Sequence, residues 1–313
     1  MVSQEAVEGQ RRRGARLATA ARAGRTVRLL AFEGLESRTL LSITASVSGS
    51  TASFVSPLLT DELYLATTSS GLLEYHDQTT STFSTNLGGT TLNVRTQAVT
   101  IDTQIVSADG GGGGGVYLEG IATGGQSLTI QAASVGSSNQ LLAIQSTVDT
   151  QGGNFTVAGF SNVTFGTAAG GGVTVSTRNL RGGTDYLTDA SQGNSGALMV
   201  TVANPDPNNP FLNIGFNTPQ ITVDAGSNLL AQATGSSQPG SITLTATNTN
   251  YTLDGLSFPT LDAVVRQSTV DFADGTTSSA SLVEGGTIDI EATSGDTPLV
   301  QTLANQGTDP NQR

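Results

Sequence analysis

A chain of 313 residues is long enough to bury a substantial core, and 39 glycines with only 12% charged residues exclude a charged disordered chain. The formal charge of −12 is unevenly placed: from residue 39 onward 21 acids face five arginines, which argues against nucleic acid or anionic lipid as a partner of the body. Cys and Lys are absent, which excludes disulfides, thiolate nucleophiles and a Walker-type phosphate loop, and no apolar run approaches the ~18 residues of a membrane-spanning helix.

Residues 1–42 read as an Arg-rich targeting or sorting segment without folded structure. Arg11, Arg12, Arg13, Arg16, Arg22, Arg25, Arg28 and Arg38 supply eight of the thirteen basic side chains. A secretory signal would continue into an apolar stretch of about 7 to 15 residues, whereas "LATAARAG" is broken by Arg22. The segment ends in "RLLAFEGLESRTLLS" (28–42), where Phe32, Glu33, Leu35, Glu36, Arg38, Leu40, Leu41 and Ser42 fit a short pattern and Ser37 stands where that pattern has Pro. This stretch resembles the LEPRxLLS motif near the N-termini of large, repeat-rich surface proteins of planctomycetes and related bacteria. The resemblance covers about fifteen residues, and it implies export or surface sorting.

Residues 43–90 are expected to form a β-rich N-terminal cap or hairpin, since an open stack of strands presents unpaired edges that need cover. Within it, "TTSSGLLEYHDQTTSTFSTNLGG" (67–89) is richer in aromatics and holds the sole histidine, His76, beside Glu74 and Asp77. A histidine flanked by carboxylates has the makings of a general base. A lone histidine in a polar turn is more simply a surface residue, and His76 is read so.

Residues 91–300 read as a repeating all-β body. Short alternating strings of β-branched and aliphatic residues are bounded by Gly, Ser, Asn and Asp, and no window holds a helical period. The segment 99–120 aligns with 221–246, 270–292 repeats the plan, and 147–159 is a shortened version. The pairs Leu128/Ile130, Phe155/Val157, Val173/Val175, Leu198/Val200, Ile221/Val223, Ile242/Leu244 and Ile288/Ile290 suggest a period of about 20 to 25 residues, the mark of a solenoid. Without helix, the fold class expected is all-β: a parallel β-helix solenoid of about 11 coils, right-handed by the general rule for parallel connections. Glycines 110–115 fall where the related unit has "GSSQPG" and should form an elongated turn. The stretch "ANPDPNNPFLNIGFNTP" (203–219) holds four of nine prolines and reads as a long external loop. Residues 301–313 read as a disordered polar tail.

The phrases "GGQSLTIQAASV", "ITVDAGSNLLAQATG", "GSITLTATNT" and "GGTIDIEATS" resemble coils of filamentous-haemagglutinin-type and autotransporter-like passenger domains. That likeness extends over about residues 90–295. It implies a right-handed parallel β-helix on a bacterial surface.

Catalytic motifs are scarce. "GNSGA" (193–197) is not a G-x-S-x-G nucleophile elbow, and any Ser-His-Asp triad would have to use His76. Paired carboxylates acting on a polysaccharide remain an alternative, because β-helices host such enzymes; that reading requires acids converging beside a cation. "DGGGGGG" and "DFADG" lack the spacings of known calcium loops. The expectation is therefore an exported cell-surface or extracellular β-solenoid, a structural or adhesive module rather than an enzyme, with no catalytic, cofactor or metal residues. Its expected partners are a surface polysaccharide or another cell-envelope protein, with the export machinery engaging the head, and it is not expected to be an integral membrane protein. The alternatives are a polysaccharide lyase or hydrolase on the same scaffold, or a truncated piece of a larger surface adhesin.

Overall fold

The computed structural model describes residues 43–56, 58, 61–105, 114–133, 140–180, 183, 185–186, 192–203, 219–233 and 236–248, together with the backbone of four later strands. The sorting-motif residues Phe32, Glu33, Leu35, Glu36, Arg38, Leu40, Leu41 and Ser42 lie outside these residues. So do the remaining arginines of the head, glycines 110–113, most of 203–219 and the 301–313 tail.

The described chain is all-β, with no helix among the described residues. In chain order the first strands are β1 (Thr44–Ser48), β2 (Thr51–Val55), β3 (Glu62–Thr67), β4 (Leu73–Asp77), β5 (Val99–Gln104), β6 (Gly115–Leu118) and β7 (Ile121–Ala122). Then come β8 (Leu128–Ala132), β9 (Leu141–Ile144), β10 (Val148–Asp149), β11 (Phe155–Phe160), β12 (Asn162–Phe165), β13 (Thr174–Ser176) and β14 (Leu198–Ala203). The last are β15 (Gln220–Val223), β16 (Asn228–Leu230), β17 (Ser241–Asn248), β18 (Thr269–Phe272), β19 (Leu282–Glu284), β20 (Thr287–Ser294) and β21 (Thr297–Pro298).

Three sheets result, and they are mostly parallel. The first runs β1-β2-β5-β8-β11-β14-β17-β20-β21, the second β18-β15-β12-β9-β6-β3-β4 and the third β19-β16-β13-β10-β7. Antiparallel pairs occur only at sheet ends, as β1/β2, β3/β4 and β20/β21. From β5 to β20 the chain visits the first, second and third sheet in strict rotation.

Alternation dictates which side chains go inside. In β5 Val99, Ile101 and Thr103 are buried while Thr100, Asp102 and Gln104 are half-exposed. Register then stacks like on like: Val99 beside Leu128, Leu128 beside Phe155, Phe155 beside Leu198 and Leu198 beside Ile242. One apolar cluster takes residues from all three sheets, among them Phe155, Phe165 and Val175, each wholly buried. Each such Val, Leu, Ile or Phe stabilises the fold by about 1.5–3 kcal/mol.

The corners leading into the first sheet carry two ladders. Thr123, Thr150 and Thr177 are wholly buried, each immediately after a third-sheet strand. Their hydroxyls donate to the carbonyls of Gln126, Gly153 and Gly196, which satisfies all three buried hydroxyls. Gly153, Gly196 and Gly240 stand above Gln126 in sequence; a Cβ on each would come within 2.2, 2.1 and 1.8 Å of the carbonyl oxygen of the residue one layer before. Only glycine fits that approach. Although 18 residues separate Thr177 from Gly196 in the sequence, the Gly196 amide donates to the Thr177 carbonyl, as the Gly153 amide does to Thr150.

The first edges are covered. Gly49, at φ 61°, makes the two-residue turn between β1 and β2. The strand end at β4 is bridged by the Leu73 amide to the Leu92 carbonyl, and by Tyr75 and Ser84 exchanging backbone bonds of 3.0 and 2.8 Å. Leu87, Leu92 and Val94 are buried beneath this cover.

Three expectations change. The aliphatic pairs at 20- to 25-residue spacing mix sheets: Val173/Val175 lead into and lie on the third and Ile221/Val223 on the second, whereas the others belong to the first. True neighbours are spaced more widely, as in Ile121, Val148 and Val175 on the third sheet. Among the described residues the first sheet stacks seven parallel strands, from β2 to β20, where the repeat suggested about 11 coils. The alignment of 221–246 with 270–292 pairs β15 with β18, β16 with β19 and β17 with β20, but 99–120 does not align with 221–246 because β5 and β15 lie in different sheets. Of the glycine run, Gly115 opens β6 in register with Glu62, and a Cβ there would meet Leu141 at 3.3 Å.

Candidate functional site

Outward positions of the second sheet gather the aromatics near the N-terminal end. Register sets Tyr64 of β3 directly between His76 of β4 and Tyr117 of β6. Neighbouring strands lie ~4.8 Å apart, so flat side chains at paired positions stack. The Tyr64 and His76 ring centroids are 4.4 Å apart with an 8° interplanar angle, and Tyr64 and Tyr117 are 4.8 Å apart at 18°. Phe83 meets His76 edge-on at 4.5 Å. Each pair adds about 0.5–1.5 kcal/mol beyond its buried area.

Carboxylates flank the stack. The Tyr64 hydroxyl donates to Glu62 Oε2 at 2.6 Å, and His76 Nε2 lies 4.0 Å from Glu119 Oε2. His76 Nδ1 is 2.8 Å from the Asp77 carbonyl oxygen, which can only accept, so that nitrogen carries a proton. Burial, then the Glu62 hydrogen bond and the charges of Glu62, Tyr117 and Glu119, pushes Tyr64 above the ordinary tyrosine range. Burial and the Glu62 charge push Tyr117 the same way, and burial and Asp77 do so for Tyr75. These hydroxyls stay protonated, and that of Tyr64 donates to Glu62.

Beside His76 is a depression of about 400 Å³ lined by Tyr75, His76, Thr80, Ser81, Thr82 and Ser84. Its rim is fixed by Asp77, whose Oδ1 accepts from the Thr79 amide at 2.9 Å, the Thr79 hydroxyl at 2.6 Å and the Thr80 amide at 3.1 Å. The Tyr75–Ser84 backbone bridge closes the other end. The expected surface histidine in a polar turn is thus corrected: His76 lies on a strand, sandwiched between Tyr64 and Phe83, with 12% of its side chain exposed.

A second polar cluster sits on the third sheet. Asp149 of β10 is 4% exposed, accepts from the Gln151 amide at 3.1 Å and bonds the Tyr186 hydroxyl. Arg178 donates to the Tyr186 carbonyl, and the Arg95 charge reaches Asp149. Burial raises Asp149 above the usual aspartate value against the pull of Gln151, Tyr186 and Arg95. Burial and Asp149 together push Tyr186 up to about 12. Ser195 of "GNSGA" stands at the adjacent corner, its hydroxyl donating to the Gln232 carbonyl at 2.7 Å.

Among the described residues no three His, Asp or Glu side chains converge as a metal site, and no helix is long and apolar enough to cross a membrane. Sequence reasoning missed Tyr64, Tyr117, Phe83, Glu62 and Glu119. The available signal was mirrored spacing: "ELY" at 62–64 and "YLE" at 117–119 each place a carboxylate and a tyrosine on one strand face. No protein-family model matches the chain, and no curated protein and no solved structure matches it significantly.

Proposed function

We propose that the body is a right-handed parallel β-helix serving as an exported, cell-surface structural or adhesive module, with residues 1–42 as its sorting segment. The rotation of β5 to β20 through three sheets supports the solenoid: a chain that returns to each sheet on every third strand, one place further along, winds in coils. Parallel connections are right-handed in ~98% of cases, which supports the hand. The observation that carries the adhesive reading is the stack of Tyr117, Tyr64 and His76 on the outer side of the second sheet, with Glu62 and Glu119 at its side and a depression beside His76. Half-buried rings gathered on an outer sheet face beside carboxylates suit contact with a partner.

The partner is a surface polysaccharide or another cell-envelope protein, bound without being turned over. A lyase or hydrolase would need accessible acids beside a cation, and Asp149 near Arg95 is 4% exposed. Fractionation of the producing cells tests the reading. The full chain is expected in the envelope or medium, open to added protease, and the chain lacking residues 1–42 is expected to stay inside. Equal export of the shortened chain would overturn the role given to the head, and a protease-shielded intracellular full chain would overturn the surface assignment.

A further inference from the structure

The end of the β3/β4 hairpin holds two acids on its inner face. Leu63 and Leu65 of β3 and Leu73, Tyr75 and Asp77 of β4 are buried, and Asp61, one residue before β3, continues that inward row. Asp61 is 1% exposed and Asp77 0%. Leu63 pairs with Asp77 across the hairpin, which makes Asp61 the diagonal neighbour of Asp77 on that face, about 7–8 Å away. Gln78 ties the two ends together: its Nε2 donates to Asp61 Oδ1 at 3.2 Å, and its Oε1 accepts from the Glu62 amide at 2.5 Å.

The chain supplies no counter-charge here. Residues 43–94 contain no basic side chain except His76, which lies on the outer face beside Glu119. Neither Asp61 nor Asp77 has an ion-pair partner among the described residues. The Ser56 hydroxyl donates to Asp61 Oδ2, and the Thr79 and Thr80 groups hold Asp77 by Oδ1 alone. Asp77 Oδ2 is buried and has no hydrogen-bond partner. Buried carboxylates are paired or coordinate a metal, because an uncompensated charge in the interior is strongly unfavourable.

We propose that Asp77, through Oδ2, and Asp61 hold a calcium ion inside the N-terminal end of the body. Two carboxylates balance a divalent cation in full. The donors are all oxygen, which suits a hard cation. Calcium accepts an irregular set of oxygens, whereas magnesium demands a near-ideal octahedron and gives up its waters reluctantly, so a buried pair favours calcium. Standing between the β2–β3 corner and the end of β4, the ion fastens the cap to the strands it covers.

The site is independent of the export and adhesion proposed above. Melting of the chelator-treated full chain at pH 7 with added calcium tests it, and terbium serves as a second probe read through tyrosine. The chain has no Trp, and Tyr75 stands two residues from Asp77 on the same inner face. The Tm is expected to rise with calcium concentration and to respond little to equal magnesium. Bound terbium should emit on tyrosine excitation, and calcium should displace it. Asp77→Asn keeps an acceptor for the Thr79–Thr80 turn but loses the charge, and calcium affinity should fall about tenfold or more; Asp61→Asn should do the same. Glu74→Gln, on the other face of β4, should leave both readouts unchanged. A Tm indifferent to calcium, an equal response to magnesium, or terbium emission that survives both Asn variants would each overturn the proposal.

Discussion

Asp149 and Tyr186 make the charge state of one buried pair visible in stability. Asp149 is held above its ordinary value of 3.8, chiefly by burial, so the native state keeps a proton at pH values where the unfolded chain has released it. Its contribution therefore favours the native state fully below about pH 3.8 and is lost as pH rises through the native value. Asp149→Asn, neutral and similar in shape, is expected to raise the Tm at pH 7 relative to the parent, with the difference vanishing toward pH 3; calorimetry across that range checks it. Tyr186 has the same sign at the other end of the scale: its stabilisation is complete below pH 10 and fades as pH climbs toward about 12. Absorbance at 295 nm should show Tyr64, Tyr75, Tyr117 and Tyr186 ionising later in the native chain than after denaturation, and Tyr186→Phe should remove part of the alkaline loss of stability. Ionisation of all four at the ordinary value would contradict their burial.

Among the elements, corners matter as much as strands. Gly196 admits the Gly153 carbonyl where a Cβ would stand at 2.1 Å from its oxygen, and neither group is the free end of a flexible side chain. Gly196→Ala is expected to destabilise the chain by about 1–3 kcal/mol in urea unfolding, by forcing two layers apart. An unchanged midpoint would mean that the ladder is slack. Phe155, wholly buried between Leu128 and Leu198, should cost about 3–5 kcal/mol when cut to Ala. The parallel strands of the first sheet were legible because each runs over five or more residues, with alternation as in "VTIDTQ" and "LTIQA". Third-sheet strands such as Ile121–Ala122 and Val148–Asp149 are too short to alternate at all. What marks them is the corner that follows, Thr123, Thr150 or Thr177 with its donated hydroxyl, a signal of position rather than of period. The 18 residues between Thr177 and Gly196 delay the next first-sheet strand in the sequence, and spacing of apolar pairs merged different sheets into one shorter repeat. The ring stack was hidden for a related reason: Tyr64 and Tyr117 meet only through parallel pairing of strands far apart in sequence.

For the body from residue 43 onward, the account turns on the order in which strands meet. Three sheets contribute to one apolar cluster, and strands consecutive in sequence go to different sheets while strands three apart pair side by side. Glu62, Glu74, Asp102 and Glu119 are at least partly exposed, whereas Asp61, Asp77 and Asp149 are buried. Because the chain has no Cys, paired substitutions report on strand order without interference. Thr129, Thr156 and Met199 occupy one outward row on β8, β11 and β14. Adjacent strands at ~4.8 Å lie within disulfide reach, and positions two strands apart, at about 9–10 Å, lie beyond it. Under mild oxidation, Thr156→Cys with Met199→Cys should close an internal disulfide, seen as a reductant-sensitive gel shift, while Thr129→Cys with Met199→Cys should stay reduced. Closure of the second pair in place of the first would contradict the strand order on which the proposed β-helix rests.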